Sequence, residues 1–197
     1  MRSFHGPTVL LLVSLCCHRT VYAEPKLSGL LSRYGLCDAS AAIAVDSDRF
    51  LVASDEDNVL RLYRHENSGP LQEFEMDRFL RPDLLSTEAD IEGATTIDKR
   101  SFWITSHGRN KDGKLRTSRY RFWALDVQLK PDRVSLKPFG QPSDRLLGEL
   151  LKEPRLAKYG LAAASVLAPK EPGALNIEGL AATPEKTPAD RLSQSAV

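Results

Sequence analysis

The feature that most constrains this chain is an internal repeat. Asp38-Ala39-Ser40-Ala41-Ala42-Ile43-Ala44-Val45 leads through a DSDR turn into Phe50-Leu51-Val52-Ala53-Ser54. Asp90-Ile91-Glu92-Gly93-Ala94-Thr95-Thr96-Ile97 leads through DKR into Ser101-Phe102-Trp103-Ile104-Thr105-Ser106. Asn176-Ile177-Glu178-Gly179-Leu180-Ala181-Ala182-Thr183 opens a third copy, and the residues after PEK have no strand pattern. Self-similarity of this kind means a supersecondary unit that buries its apolar face only against its neighbours.

Each of the first two copies continues with two further strands. Residues 58–64 alternate apolar and polar, NSGP at 67–70 supplies a turn, and residues 71–76 alternate again. In the second copy residues 120–127 are aromatic and apolar, LKPD at 129–132 turns the chain, and residues 134–139 form the last strand. The unit is four short antiparallel strands with the small-residue strand first. That is the anatomy of a β-propeller blade, whose innermost strand sits at the crowded axis where Ala, Gly and Ser permit close approach. A β-sandwich also uses short strands and regular turns, but it gives no reason for a recurring small-residue first strand. The expected fold is therefore all-β with a helical insert, an incomplete β-propeller of two four-stranded blades plus the first strand of a third.

The insert is legible at 143–160. Leu146, Leu147, Leu150 and Leu151 make one helical face, Ser143 after Pro142 is a candidate cap, and a second turn ends at Tyr159 with Gly160 behind it. The boundaries read as a signal segment 1–23, a linker 24–34, and a partial propeller 35–185. Within it the blades span 38–77 and 90–139, and the third begins at 176–184. The start, MRSFHGPTVLLLVSLCCHRTVYAEPK, has a cationic opening, a short apolar stretch and small residues before Ala23. That pattern predicts export, to the periplasm or beyond. No later stretch is apolar enough to cross a bilayer.

With 42% apolar and 27% charged residues, the chain has a globular composition. A net charge of +1 gives no general attraction for nucleic acid or anionic lipid. Two of the three cysteines fall inside the signal segment, leaving Cys37. Without a histidine beside it, Cys37 reads as a small buried side chain rather than a nucleophile.

Four ordered motifs, GLCDASAAIAV (35–45), EADIEGATTI (88–97), WITSHGRNKDGKLR (103–116) and NIEGLAATP (176–184), resemble the bacterial family catalogued as domain of unknown function 3616. The similarity runs from Gly35 to Glu185. It implies an exported β-propeller and no activity, since the family is uncharacterised. Family members continue after NIEGLAATP with a strand close to LLIGFRNP, and this chain departs there. One permitted coding of residues 189–196, read one base later, encodes Leu-Ile-Gly-Phe-Arg-Asn-Pro-Arg. The expectation is that residues 186–197 are a frameshifted reading of a propeller gene.

Two constellations carry chemistry. Asp38, Asp90, Glu92 and Glu178 recur at the start of each inner strand. Converging carboxylates are candidates for a hard cation such as calcium, or for acid–base work. The alternative is that they accept backbone N–H bonds and lock one blade to the next. The second constellation is basic: His107, Arg109, Lys111, Lys114, Arg116, Arg119 and Arg121, broken only by Asp112. Arg109, Lys111 and Lys114 are the candidate contacts to an anionic ligand, and His107 with Arg109 the candidate catalytic pair. A solvated loop paired with Asp55, Glu56 and Asp57 is the alternative. No GxSxG, HExxH or P-loop is present. Two functions remain: a binding or scaffold module for a small anionic or protein ligand, and a metal-dependent hydrolase of a phosphate ester or lactone.

Overall fold

A computed structural model of the chain describes residues 31–80 and 88–183. The expected signal segment, most of the expected linker and the expected frameshifted tail lie outside these residues. The described chain is mostly β, in two four-stranded antiparallel sheets that run in sequence order. The first holds β1 (Ala39–Ala44), β2 (Arg49–Ser54), β3 (Val59–Arg64) and β4 (Gln72–Glu75). The second holds β5 (Ile91–Ile97), β6 (Arg100–Thr105), β7 (Phe122–Leu129) and β8 (Val134–Ser143). A four-residue helix, α1 (Asp77–Leu80), leads out of the first sheet.

The pairing register explains which side chains meet. In the first sheet Ile43, Leu51, Leu62 and Gln72 form one cross-strand row. In the second, Ala94, Trp103 and Trp123 form the facing row. The two rows belong to one continuous core with Leu60, Ile91, Leu125 and Val134. Leu51, Ala53 and Trp103 are wholly enclosed, and each large apolar side chain enclosed this way stabilises the fold by about 1.5–3 kcal/mol. Polar groups align the two sheets where the apolar rows end. The Gln72 amide accepts from Val134 N at 2.6 Å and donates to Val134 O at 3.2 Å. Arg49 Nη1 donates to Lys130 O at 3.2 Å, and Ala89 N donates to Asn58 Oδ1 at 2.8 Å.

Both inner strands carry a bulge at the same place, between Ala39 and Ala41 in β1 and between Ile91 and Gly93 in β5. The extra residues are Ser40 and Glu92. A bulge turns one side chain out of the ladder, and Ser40 uses it: its hydroxyl donates to Ile91 O of the neighbouring sheet.

The opposite face of the second sheet is apolar too. Thr95, Phe102, Ala124 and Phe139 form its row, and Ile97, Ile104 and Phe122 join the cluster. Leu146 of α2 (Leu146–Lys152), Ile177 and Leu180 pack on it. The third copy of the inner strand, at 176–183, carries no strand pairing, yet it lies along β5. Ile177 N donates to Ser106 O at 2.8 Å and Ala182 N to Thr95 Oγ1 at 3.1 Å. Gly93 permits this: a Cβ there would stand 2.8 Å from Gly179 C and Leu180 N.

The insert differs in detail from its expected form. Ser143 ends β8, and the helix cap is Arg145, whose N–H donates to Ser143 Oγ at 3.3 Å. A 3₁₀ turn over Pro154–Tyr159 closes on Gly160 at φ 64°, and α3 (Leu161–Ala164) comes next. Cys37 is exposed rather than buried. It precedes β1, outside the apolar rows, so no packing encloses it.

Candidate functional site

Antiparallel pairing puts the start of each inner strand beside the end of the next strand: Ala39 opposite Ser54, and Ile91 opposite Thr105. The β2–β3 loop, the long β6–β7 loop and the return from the insert therefore meet at this one end. The acidic and basic constellations both fall here.

Arg119, from a 3₁₀ turn over Thr117–Arg119, is the centre of charge. Its Nη2 bonds Glu88 Oε1, and its Nη1 bonds Asp90 Oδ2 at 2.9 Å. Asp90 is 7% exposed and holds a left-handed backbone, φ 63°. That conformation disfavours most side chains, though Asp tolerates it better than most. Burial raises the Glu88 carboxyl above its ordinary range, and Asp90 adds to this against the pull of Arg119. Glu92 is pushed up to about 8, first by burial and then by Asp90, Glu178 and Asp55, with Arg119 the opposing charge. Glu178 is exposed and accepts from Asn176 Nδ2. Asp38 is exposed and makes no hydrogen bond or ion pair among the described residues. Also among the described residues, no three His, Cys, Asp or Glu side chains gather so as to hold a metal ion. The structure thus brings together Asp90, Glu92 and Glu178, and leaves Asp38 apart.

The basic residues separate into two groups. Some are structural. Arg109 Nε donates to Ser165 O at 3.2 Å and its Nη1 to Gly113 O at 3.1 Å, which ties the loop to the insert. Arg121 donates to Leu80 O at 3.1 Å and Thr117 O at 2.9 Å. His107 is wholly buried, with its ring edge-on to Tyr120. Its Nδ1 lies 2.9 Å from Thr105 O, which requires a proton on Nδ1, and Nε2 has no partner among the described residues. Burial holds His107 below the ordinary imidazole range, so it is neutral. Fully enclosed, it touches no solvent-borne substrate in this conformation.

The other group faces solvent. An open cleft of about 460 Å³ is lined by Glu88, Asn110, Lys111, Arg116, Arg119, Pro169 and Lys170. The turn Asn110–Gly113 shapes one wall: Gly113 N donates to Asn110 O at 2.8 Å, with Gly113 at φ 73°. Asn110 Oδ1 accepts from Asp112 N at 3.1 Å and Lys114 N at 2.8 Å. Asn110 lines the cleft, and its amide N–H₂ has no hydrogen bond among the described residues. Lys114 is exposed and does not line it.

Two lining residues escape a reading of local charge runs. Lys170 is an isolated cation between Pro169 and Pro172, over fifty residues from the basic loop. Only the repeat phase, which returns the chain to β5 at Asn176, signals that this stretch comes back beside the loop. Glu88 opens the EADIEGATTI motif, outside both charged constellations, and is the cleft's one carboxylate. Asp57, a candidate partner of the basic loop, is spent instead on Arg61 at 2.7 Å.

An exposed cleft with four cations and one carboxylate can hold an anion by charge and hydrogen bonding. No family model, curated protein or solved structure matches the chain.

Proposed function

We propose that this chain is an exported binding module, part of a β-propeller, that offers a cationic cleft to a small anionic ligand at the end where its inner strands begin. One observation carries the reading. Lys111 and Arg116 of the β6–β7 loop and Lys170 of the insert's return share a cleft with Arg119. Like charges drawn from separate elements repel one another, and a bound anion reverses the sign of that contribution.

The propeller part is supported by repetition of the interface. Phe102 and Ile104 pair with Thr95 and Gly93 as Leu51 and Ala53 pair with Ile43 and Ala41. Leu51 and Ala53 pack on the next sheet. The equivalent Phe102 and Ile104 pack with Ile177 and Leu180, where a third sheet would begin. Arg49 reaches across to Lys130 O, while its counterpart Arg100 turns back onto Asp126 and the Phe139 ring. Export rests on the pattern of residues 1–23.

The test is calorimetric titration of the full chain with acetate, orthophosphate and tripolyphosphate at low ionic strength. At least one should give saturable heat, and the double substitution Lys111→Ala with Lys170→Ala should abolish it. Both side chains are exposed, so the thermal midpoint should stay within experimental error. Heat absent with every anion, or unchanged in the double variant, overturns the proposal.

A further inference from the structure

We propose that the cleft's ligand is an oligophosphate, a molecule with two or more linked phosphate groups, rather than a single carboxylate or orthophosphate. The inference rests on the anion-binding reading of the same cleft. Its ground is which cations are already satisfied. Arg119 is shared by Glu88 and Asp90, so its single positive charge faces two acids. Lys111, Arg116 and Lys170 pair with no acidic side chain among the described residues. Three cations are therefore left to the ligand, two on the loop side and one on the insert side. A monovalent anion neutralises one and leaves the other two facing each other.

The floor and the walls sharpen the chemistry. Glu88 lines the cleft beside Arg119 and repels an anion there, which favours one held by Lys111, Arg116 and Lys170. The cations stand on separate elements around an open cleft of about 460 Å³, Lys111 and Arg116 on the β6–β7 loop and Lys170 on the return from the insert. Linked phosphates can engage both elements at once, and once the first is held the second binds at high effective concentration. The guanidinium of Arg116 suits a phosphate's fork of oxygens, and the two ammoniums act as point charges on the rest. Asn110 N–H₂ adds a neutral donor. Among the described residues no aromatic ring lines the cleft, so no base or sugar face finds a stacking platform. The linked phosphates themselves are what the lining recognises.

The same titration ranks the anions, now at matched ionic strength and with single variants. Tripolyphosphate should bind about tenfold tighter than orthophosphate, as expected for two added exposed ion pairs, and acetate should be weakest. Lys170→Ala should weaken tripolyphosphate several-fold and leave orthophosphate nearly unchanged, because a single phosphate can stay with Lys111 and Arg116. Equal affinity for tripolyphosphate and orthophosphate, or acetate equal to either, overturns the oligophosphate proposal and leaves anion binding standing. Equal loss for both phosphates in Lys170→Ala also overturns it, since a ligand that spans the cleft is then not required. Silence from every anion overturns both readings together.

Discussion

Replacing Gly93 by alanine tests whether the third repeat is seated on β5 by close backbone approach. The added Cβ would lie 2.8 Å from Gly179 C, 2.8 Å from Leu180 N and 2.8 Å from Ile104 Cγ2. The first two contacts are backbone and cannot rotate away, and ordinary carbon contacts sit near 3.5–4.0 Å. The 176–183 segment must therefore move off β5 by somewhat under an ångström, or β5 must shift within its sheet. Overpacking of this kind costs about 1–3 kcal/mol, which for a domain of this size lowers the midpoint by roughly 2–4 °C per kcal/mol. The move also stretches the Ile177 N to Ser106 O bond of 2.8 Å and the Ala182 N to Thr95 Oγ1 bond of 3.1 Å. The decisive assay is amide hydrogen exchange. Ile177 and Ala182 should exchange faster in Gly93→Ala, while Leu51 and Leu62, paired across β2 and β3, keep their protection. Unchanged exchange at Ile177 and Ala182 together with an unchanged midpoint refutes the seating argument.

Two further predictions concern protons. Glu92 is held at about 8 against an ordinary 4.5, so between these values the folded chain binds more protons than the unfolded one. Its contribution to stability is present below pH 4.5 and is lost as pH rises through about 8. Urea midpoints of the parent protein should therefore fall relative to Glu92→Gln between about pH 5 and about pH 9, and parallel pH profiles would count against it. For His107 the shift is downward, so the unfolded chain takes up the proton first as pH falls below 6.5. A nitrogen-NMR pH titration should find His107 charging at lower pH than a free histidine, with its neutral ring protonated on Nδ1. A ring that charges at or above the pH of a free histidine would contradict its enclosure.

All eight strands are legible from alternation and turn chemistry, and their ends shift by only a few residues in the structure. The repeat also locates the two bulges implicitly, because Ser40 and Glu92 occupy the same step after Asp38 and Asp90. Packing across the sheets is less accessible. Leu51 and Phe102 stand in continuous apolar runs, which do not say that one faces the next sheet and the other the insert and Ile177. Charge is the least accessible level. Arg109 and Lys111 look interchangeable in HGRNKDGK, yet one points its donors at two carbonyls and the other lines the cleft. Which cation is consumed depends on carbonyl positions set by Ser165 and Gly113, and local composition carries no trace of them.

The bulge position shows how a repeat can keep a geometric role while its residue type changes. In the first sheet the position holds Ser40, whose O–H donates to Ile91 O of the neighbouring sheet. In the second it holds Glu92, and the third copy places Glu178 there. An ionised carboxylate offers only acceptors, so it cannot replace a hydroxyl that donates. A protonated carboxyl can. Burial first, and then the neighbouring acids Asp90, Glu178 and Asp55 against the single opposing cation Arg119, keep the proton on. The cluster therefore preserves at Glu92 the donor character that Ser40 has by composition. Arg119 is meanwhile taken up by Glu88 and Asp90, which leaves Lys111, Arg116 and Lys170 as the charges presented to a ligand.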